Sequence, residues 1–357
     1  MVNNSWKTYL QNQGAKFADH CGGELVSSFA SSDTEDHAET NRPFIAPLMH
    51  QSLLNIAGAD SAKFMQGQLT CDVNAITPGL SALGAACTPK GRIYTSFRIV
   101  QQENCEPPSF MLRMRKDVID SSIATLGKYI VFFKSKMINA ADTWVGIGIK
   151  GTECDEPLSQ FFGSIPAEIN QVTQNEQGLL VRIPGLDLRY EAWLPVEQAQ
   201  ALWSELSTIV PQQGTFSWLL EDIRAGIAEV SAATTETFIP QALNFQAVNA
   251  VSFSKGCYTG QEIVARTQYR GKSKRVMLRA MLESAPNLTA GMELMAADSQ
   301  KNVATLVEAV AVNSQQQEAL LVVLDELADA EEWRLSLDNQ SFIGRRLELP
   351  YHLDAAK

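Results

Sequence analysis

Lys255-Gly256-Cys257-Tyr258-Thr259-Gly260-Gln261-Glu262 sets one cysteine between two glycines, beside a lysine, where a helix is predicted to begin. Thr259-x-x-Glu262 has the spacing of a capping box, in which the threonine oxygen caps an early helical N–H and the glutamate reaches back to the cap. The helix is predicted to run from Gly260 to Arg270, with Gly271 suited to the left-handed residue that closes it. Cys257 would then precede unpaired backbone N–H groups carrying partial positive charge, and Lys255 adds a full charge; both favour a thiolate. Gly256 and Gly260 leave room for a ligand or another backbone. A small buried cysteine in a tight turn, with Glu262 only a cap, fits the same residues.

The longer run Ser252-Phe253-Ser254-Lys255-Gly256-Cys257-Tyr258-Thr259-Gly260-Gln261-Glu262-Ile263-Val264-Ala265-Arg266 resembles the signature of the YgfZ family, folate-binding proteins tied to tRNA modification and iron–sulfur maintenance. Two further segments agree: Ile223-Arg224-Ala225-Gly226 through Phe238-Ile239-Pro240-Gln241-Ala242, and Gly58-Ala59-Asp60-Ser61 through Gln66-Gly67-Gln68-Leu69-Thr70-Cys71-Asp72-Val73. With Ile343-Gly344-Arg345-Arg346, the resemblance covers roughly residues 45 to 350. That family is distantly related to the glycine-cleavage T-protein, a tetrahydrofolate-dependent aminomethyltransferase. The resemblance implies an α+β, three-domain aminomethyltransferase-like fold with a ferredoxin-like middle unit and a C-terminal antiparallel β-barrel, around a central hole that would make the folate pocket. The expected segments are an N-terminal extension, partly mobile, at 1–43; the first half of the folate-binding domain at 44–140; the ferredoxin-like domain at 141–212; a return segment at 213–274; and the barrel at 275–357.

The residues support that layout locally. A strand is predicted from Leu53, a turn at Gly58, a helix opened by Asp60, and strands around Leu80–Cys87, Ile93–Val100 and Phe110–Arg115. Trp144–Ile149, Gly178–Ile183 and Leu188–Leu194 read as strands, Pro157–Phe162, Val196–Leu206 and Trp218–Ala228 as helices. From Arg275 onward short strands with turns at close spacing predict a small barrel: Val276–Met281, Thr305–Val312, Ala319–Val323, Trp333–Leu337 and Ser341–Ile343. Gly22 to Thr40, rich in serine and aspartate, read as a mobile loop, so structure is expected to begin near Phe44.

Composition narrows the function classes. The 357 residues predict two or three domains, and the net charge of −11 argues against a general nucleic-acid coat or adsorption to an anionic membrane. No 18-residue apolar run and no signal-peptide core are found, so a cytoplasmic protein is expected. The six cysteines contain no CxxC pair and the four histidines are dispersed, His20-Cys21 being the one adjacent pair. No metal site is expected, and no iron–sulfur cluster held by this chain alone, because such a cluster needs about four converging ligands.

Candidate sites follow. By resemblance, Cys257 is the candidate functional thiol, with Lys255 stabilising it, Glu262 holding the loop, Gln261 orienting a ligand and Gly256, Tyr258, Thr259 and Gly260 completing the motif. Tetrahydrofolate or a derivative is the expected cofactor. Trp218 occupies the family's place for an aromatic against folate, although a tryptophan there can equally be core. Arg224 stands where the T-protein has a folate-contacting glutamate, and Gln51 where the family has a second tryptophan. The T-protein's catalytic aspartate has no counterpart in Pro89-Lys90-Gly91-Arg92-Ile93-Tyr94-Thr95-Ser96, so aminomethyl transfer is not expected. Lys255, Arg266, Arg270, Lys272, Lys274 and Arg275 against Glu262 give residues 255–275 a net +5, suited either to anions or to complementing a helix C-terminus. The leading expectation is a folate-binding accessory protein supporting iron–sulfur client enzymes such as radical tRNA methylthiotransferases. A folate-dependent one-carbon transferase or demethylase, and a module contacting tRNA directly, are the alternatives.

Overall fold

Regular structure is already in place at Asn4, well before Phe44, in the computed structural model, which describes residues 4–20, 23–29, 42–271, 273–299 and 301–353. Helix α1 (Asn4–Asn12) carries Trp6, Tyr9 and Leu10 at helical spacing, and Trp6 meets Trp203 edge-on with ring centres 5.8 Å apart. Strands β1 (Ala15–His20) and β2 (Gly23–Phe29) form an antiparallel hairpin whose Leu25, Val26 and Phe29 enter the same core. Residues 4–20 and 23–29 of the partly mobile extension expected at 1–43 are thus packed into the core, because burying these apolar side chains offsets the ordering of a polar segment. Residues 30–41, Cys21 and Lys272 lie outside the described residues.

The next stretch gives β3 (Phe44–Pro47), β4 (Gln51–Ala57), α2 (Ser61–Gln66), β5 (Ala82–Cys87), β6 (Ile93–Gln101), β7 (Ser109–Arg115), α3 (Ile119–Ile130) and β8 (Lys136–Asn139). Five of these strands form an antiparallel sheet in the order β5-β6-β7-β4-β8. Its apolar face buries Leu54, Ile56, Phe97 and Leu112 against Phe64 and Met65 of α2 and Leu126 of α3.

The middle unit comprises β9 (Trp144–Lys150), α4 (Asp155–Phe162), β10 (Val172–Asn175), β11 (Gly178–Ile183), β12 (Arg189–Pro195) and α5 (Val196–Leu206). Its sheet runs β10-β11-β12-β9-β3, the ferredoxin-like arrangement, with one difference from the expected segmentation. The strand beside β9 comes from Phe44–Pro47, paired antiparallel with Phe44 opposite Lys150, so this sheet draws an edge from outside 141–212. Helix α6 (Thr215–Arg224) follows. Gly148 lacks a side chain where the Trp218 indole of α6 lies, and a β-carbon there would collide with the ring.

A strand-free segment then leads to α7 (Gln261–Arg270) and the barrel: β13 (Arg275–Glu283), β14 (Glu293–Ala296), β15 (Asn302–Ala311), β16 (Gln316–Leu324), β17 (Glu332–Leu337) and β18 (Gln340–Leu347). The six close in the order β13-β16-β15-β14-β17-β18. Leu278, Leu282, Leu306, Leu321 and Phe342 fill the interior, the alternate positions of each strand pointing inward. Among the described residues no helix is long and apolar enough to cross a membrane.

Candidate functional site

Two distant segments meet at the cysteine loop. Lys255 is buried, and its Nζ donates to the carbonyl oxygens of Gln66, Leu69 and Cys71, each at 2.8 Å. The ammonium thereby uses all three donors on the turn after α2. Burial pulls its pKa down to about 8, partly offset by the nearby Cys71 and Asp72. Ser252 N–H donates to Thr70 O (2.9 Å), the Thr70 hydroxyl donates to Ala250 O (2.6 Å), and Thr259 N–H donates to Gly67 O (3.2 Å). The loop is thus fastened along its length to residues 66–71.

These contacts correct three expectations. Lys255 points inward to carbonyls and over the Tyr258 ring, 5.2 Å from its centre, so it clasps the loop rather than standing as a charge dedicated to Cys257. The capping box does not form: the N-cap is Gly260 with no side-chain bond, and the Thr259 hydroxyl is 3.2 Å from Gln68 Oε1. Gly260 needs to be glycine for another reason: it takes φ +85°, and a β-carbon would meet Cys87 and Gly91 at 3.0 and 3.2 Å. Gly271 closes α7 in an extended, not left-handed, conformation. Glu262 is exposed, Gln261 half-buried, and a β-carbon on Gly256 would meet nothing within 4 Å. Gly256 therefore matters only to something that approaches from outside.

Cys257 is exposed, whereas Cys71, Cys87 and Cys154 are buried and Cys105 is half-buried. Burial pushes the Cys71, Cys87 and Cys154 thiols up to about 12. Exposure therefore distinguishes Cys257 among the described thiols, on a loop in which Lys255 and Tyr258 are buried while Gly256 and Cys257 between them are exposed.

The residues expected at folate do not fit that role as placed. Trp218 is completely buried, with Arg189 stacked 4.8 Å from its ring centre and Phe44 edge-on, so neither face is open to a ligand. Arg224 is buried and donates to Glu318 (2.9 and 3.1 Å) and Glu221 (3.0 Å), tying α6 to the barrel. Both are corrected to packing residues. Gln51 is different: its Nε2 donates to Glu229 Oε1 at 2.7 Å, beside Arg113, which also bonds Glu229 and pairs with Glu191 at 3.0 Å. Gln51 Oε1 and Glu229 Oε2 are buried with no hydrogen-bond donor among the described residues.

Next to them Arg113 and Glu229 line a cavity of about 20 Å³, room for a single water. His50 lies buried nearby in sequence, held neutral chiefly by burial and then by the positive Arg115 and Arg113. Sequence reasoning missed Arg113 and Glu229, because partners 116 residues apart leave no local pattern.

The basic residues divide. Arg266 and Arg270 are exposed one turn apart on α7, with Tyr269, 69% exposed, between them. Lys274 and Arg275 belong instead to the approach to the barrel and line a separate cavity with Arg92.

An antiparallel sheet, a ferredoxin-like unit and a closed barrel, joined by a strand-free segment carrying the thiol, define the class: proteins of the aminomethyltransferase T fold. The structure aligns with the glycine cleavage system aminomethyltransferase T from Bartonella henselae over 95% of each chain with a TM-score of 0.75, and at 16% identity this likeness shows the fold alone. The chain is 33% identical over 264 residues to the tRNA-modifying protein YgfZ of Yersinia pseudotuberculosis, covering 73% of this chain and 78% of that one. Against the protein of the same name from Yersinia enterocolitica it is 32% identical over 308 residues, 86% and 92% of the two chains. No family model matches. The chain belongs to the YgfZ family.

Proposed function

We propose that this chain is a cytoplasmic, folate-binding accessory protein that supports iron–sulfur enzymes and through them tRNA modification, with Cys257 as its working thiol. The observation that carries the reading is the exposed Cys257 on a loop fastened through Lys255 to residues 66–71. A thiol so placed is open to a large partner, while its backbone is held by buried contacts.

The folate component rests on side chains other than the expected tryptophan and arginine. Gln51 Oε1 and Glu229 Oε2 are buried acceptors without donors among the described residues, and the edge of a reduced pterin is rich in N–H groups that would satisfy them. The adjoining cavity of about 20 Å³ is too small for a pterin, so entry requires the lining segment 227–250 to shift. Aminomethyl transfer is not part of the proposal, since Pro89–Ser96 offers no carboxylate.

Two measurements test the parts separately. Tryptophan fluorescence titration with tetrahydrofolate should show saturable binding by the parent, retained in Trp218→Phe and weakened in Glu229→Gln; undiminished binding by Glu229→Gln sinks the pocket assignment. Cys257→Ala should bind folate as the parent does but fail to restore radical methylthiotransferase activity in a cell lacking the protein. Full restoration by Cys257→Ala would falsify the working-thiol role.

A further inference from the structure

A cavity of about 470 Å³ opens at the C-terminal end of α7, between the turn after β5, the segment 237–242 and the barrel. Three cations line it, Arg92, Lys274 and Arg275, with Glu293 as the carboxylate among the lining residues. Arg92 is anchored on the Thr237 carbonyl. Arg275 has its Nη1 buried without a hydrogen-bond acceptor among the described residues. A buried guanidinium donor left unmatched is costly, and an anion is what satisfies it. Elsewhere on this wall Ile239 and Ala242 are apolar. Cations gathered from separate segments of a chain with net charge −11 run against its overall balance, so their convergence is local design rather than composition.

We propose that this cavity is a phosphate site that takes a nucleotide, free or at the end of an RNA strand. Arg92, Lys274 and Arg275 hold the phosphate, and Ile239 and Ala242 contact the sugar and base. The volume suits a ligand of that size, and a phosphate dianion matches three converging cations better than a single carboxylate does. This site is independent of the folate reading: it meets α7 at Thr267, and neither Cys257 nor any other residue of 252–262 is among its lining residues.

Isothermal titration of the full chain at low salt tests it with AMP, adenosine, pentaglutamate and a 5′-phosphorylated tetraribonucleotide. AMP should bind, adenosine and pentaglutamate should bind much more weakly, and Arg275→Met should weaken AMP by about tenfold or more. Because Arg275 is half-buried, Glu293→Gln on the open wall supplies a second arm, and it should tighten AMP severalfold. A tetranucleotide that binds more tightly than AMP identifies an RNA end as the source; equal or weaker binding identifies a free nucleotide. Absence of AMP and tetranucleotide binding at millimolar concentration, adenosine or pentaglutamate binding as tight as AMP, or an unaltered Arg275→Met with unaltered Glu293→Gln overturns the proposal.

Discussion

The Cys257 loop and the Arg113 cluster are held by opposite means. In the loop, one buried ammonium satisfies three neutral carbonyls and leaves the Cys257 thiol outside. In the cluster, one guanidinium pairs with two carboxylates, buried Glu191 and half-buried Glu229, and leaves acceptors inside that are unmatched among the described residues. A cation surrounded by carbonyls fixes a backbone; a cation between carboxylates balances charge and leaves polar capacity for something else. The first arrangement leaves a side chain exposed to solvent, and the second leaves buried polar atoms without a match among the described residues.

The largest effect should come from breaking the charge balance. Arg113→Met strands these two carboxylates and should cost about 3–5 kcal/mol, read as a fall in melting temperature. A melting temperature within a degree of the parent would mean that water, not Arg113, compensates Glu191 and Glu229. Lys255→Met should cost less, about 2–3 kcal/mol, because the orphaned groups are neutral carbonyls. It should also raise proteolysis at the loop, and an unchanged proteolytic pattern would refute the clasp.

Alkylation sharpens the contrast on the thiol side. Since burial holds Cys71, Cys87 and Cys154 near 12, raising the pH from 7 to 9 should leave them largely unlabelled while Cys257 reacts first. Faster labelling of Cys71 or Cys87 in peptide maps would overturn the claim that exposure sets the order. Smallest of all is Glu262→Ala, which removes an exposed side chain with no capping bond and should change stability by no more than about 0.5 kcal/mol. A drop of a kilocalorie per mole or more, on the order of a lost cap, would reinstate the capping box.

Much of the fold was legible. Alternating and helical spacing placed most strands and helices, and the Lys255–Glu262 motif pointed to the exposed thiol. What escaped was long-range or weakly patterned. β14, four residues long, carries too few positions to show a period, and α3 was passed over although Ile119, Ser122 and Leu126 mark its inner face. At the candidate site, the partners of the residues named from sequence were not legible: Lys255 lies two positions from Cys257 yet points to residues 66–71, and Trp218 packs on Gly148, 70 residues earlier. Side-chain direction in a non-helical loop is set by what folds against it, and that information is tertiary.

The strand Phe44–Pro47 has a consequence for how this chain is made. It completes the sheet of a unit whose partner strand, Trp144–Lys150, leaves the ribosome roughly a hundred residues later, at about 5–20 residues per second. For several seconds of synthesis that edge has no neighbour to pair with, while the intervening sheet is free to form. The order of birth thus obliges the first sheet to assemble inside an unclosed loop of the second. A fragment cut to start at residue 141 would be born with β9 as a bare edge, and its tendency to self-associate would measure what those four residues cover.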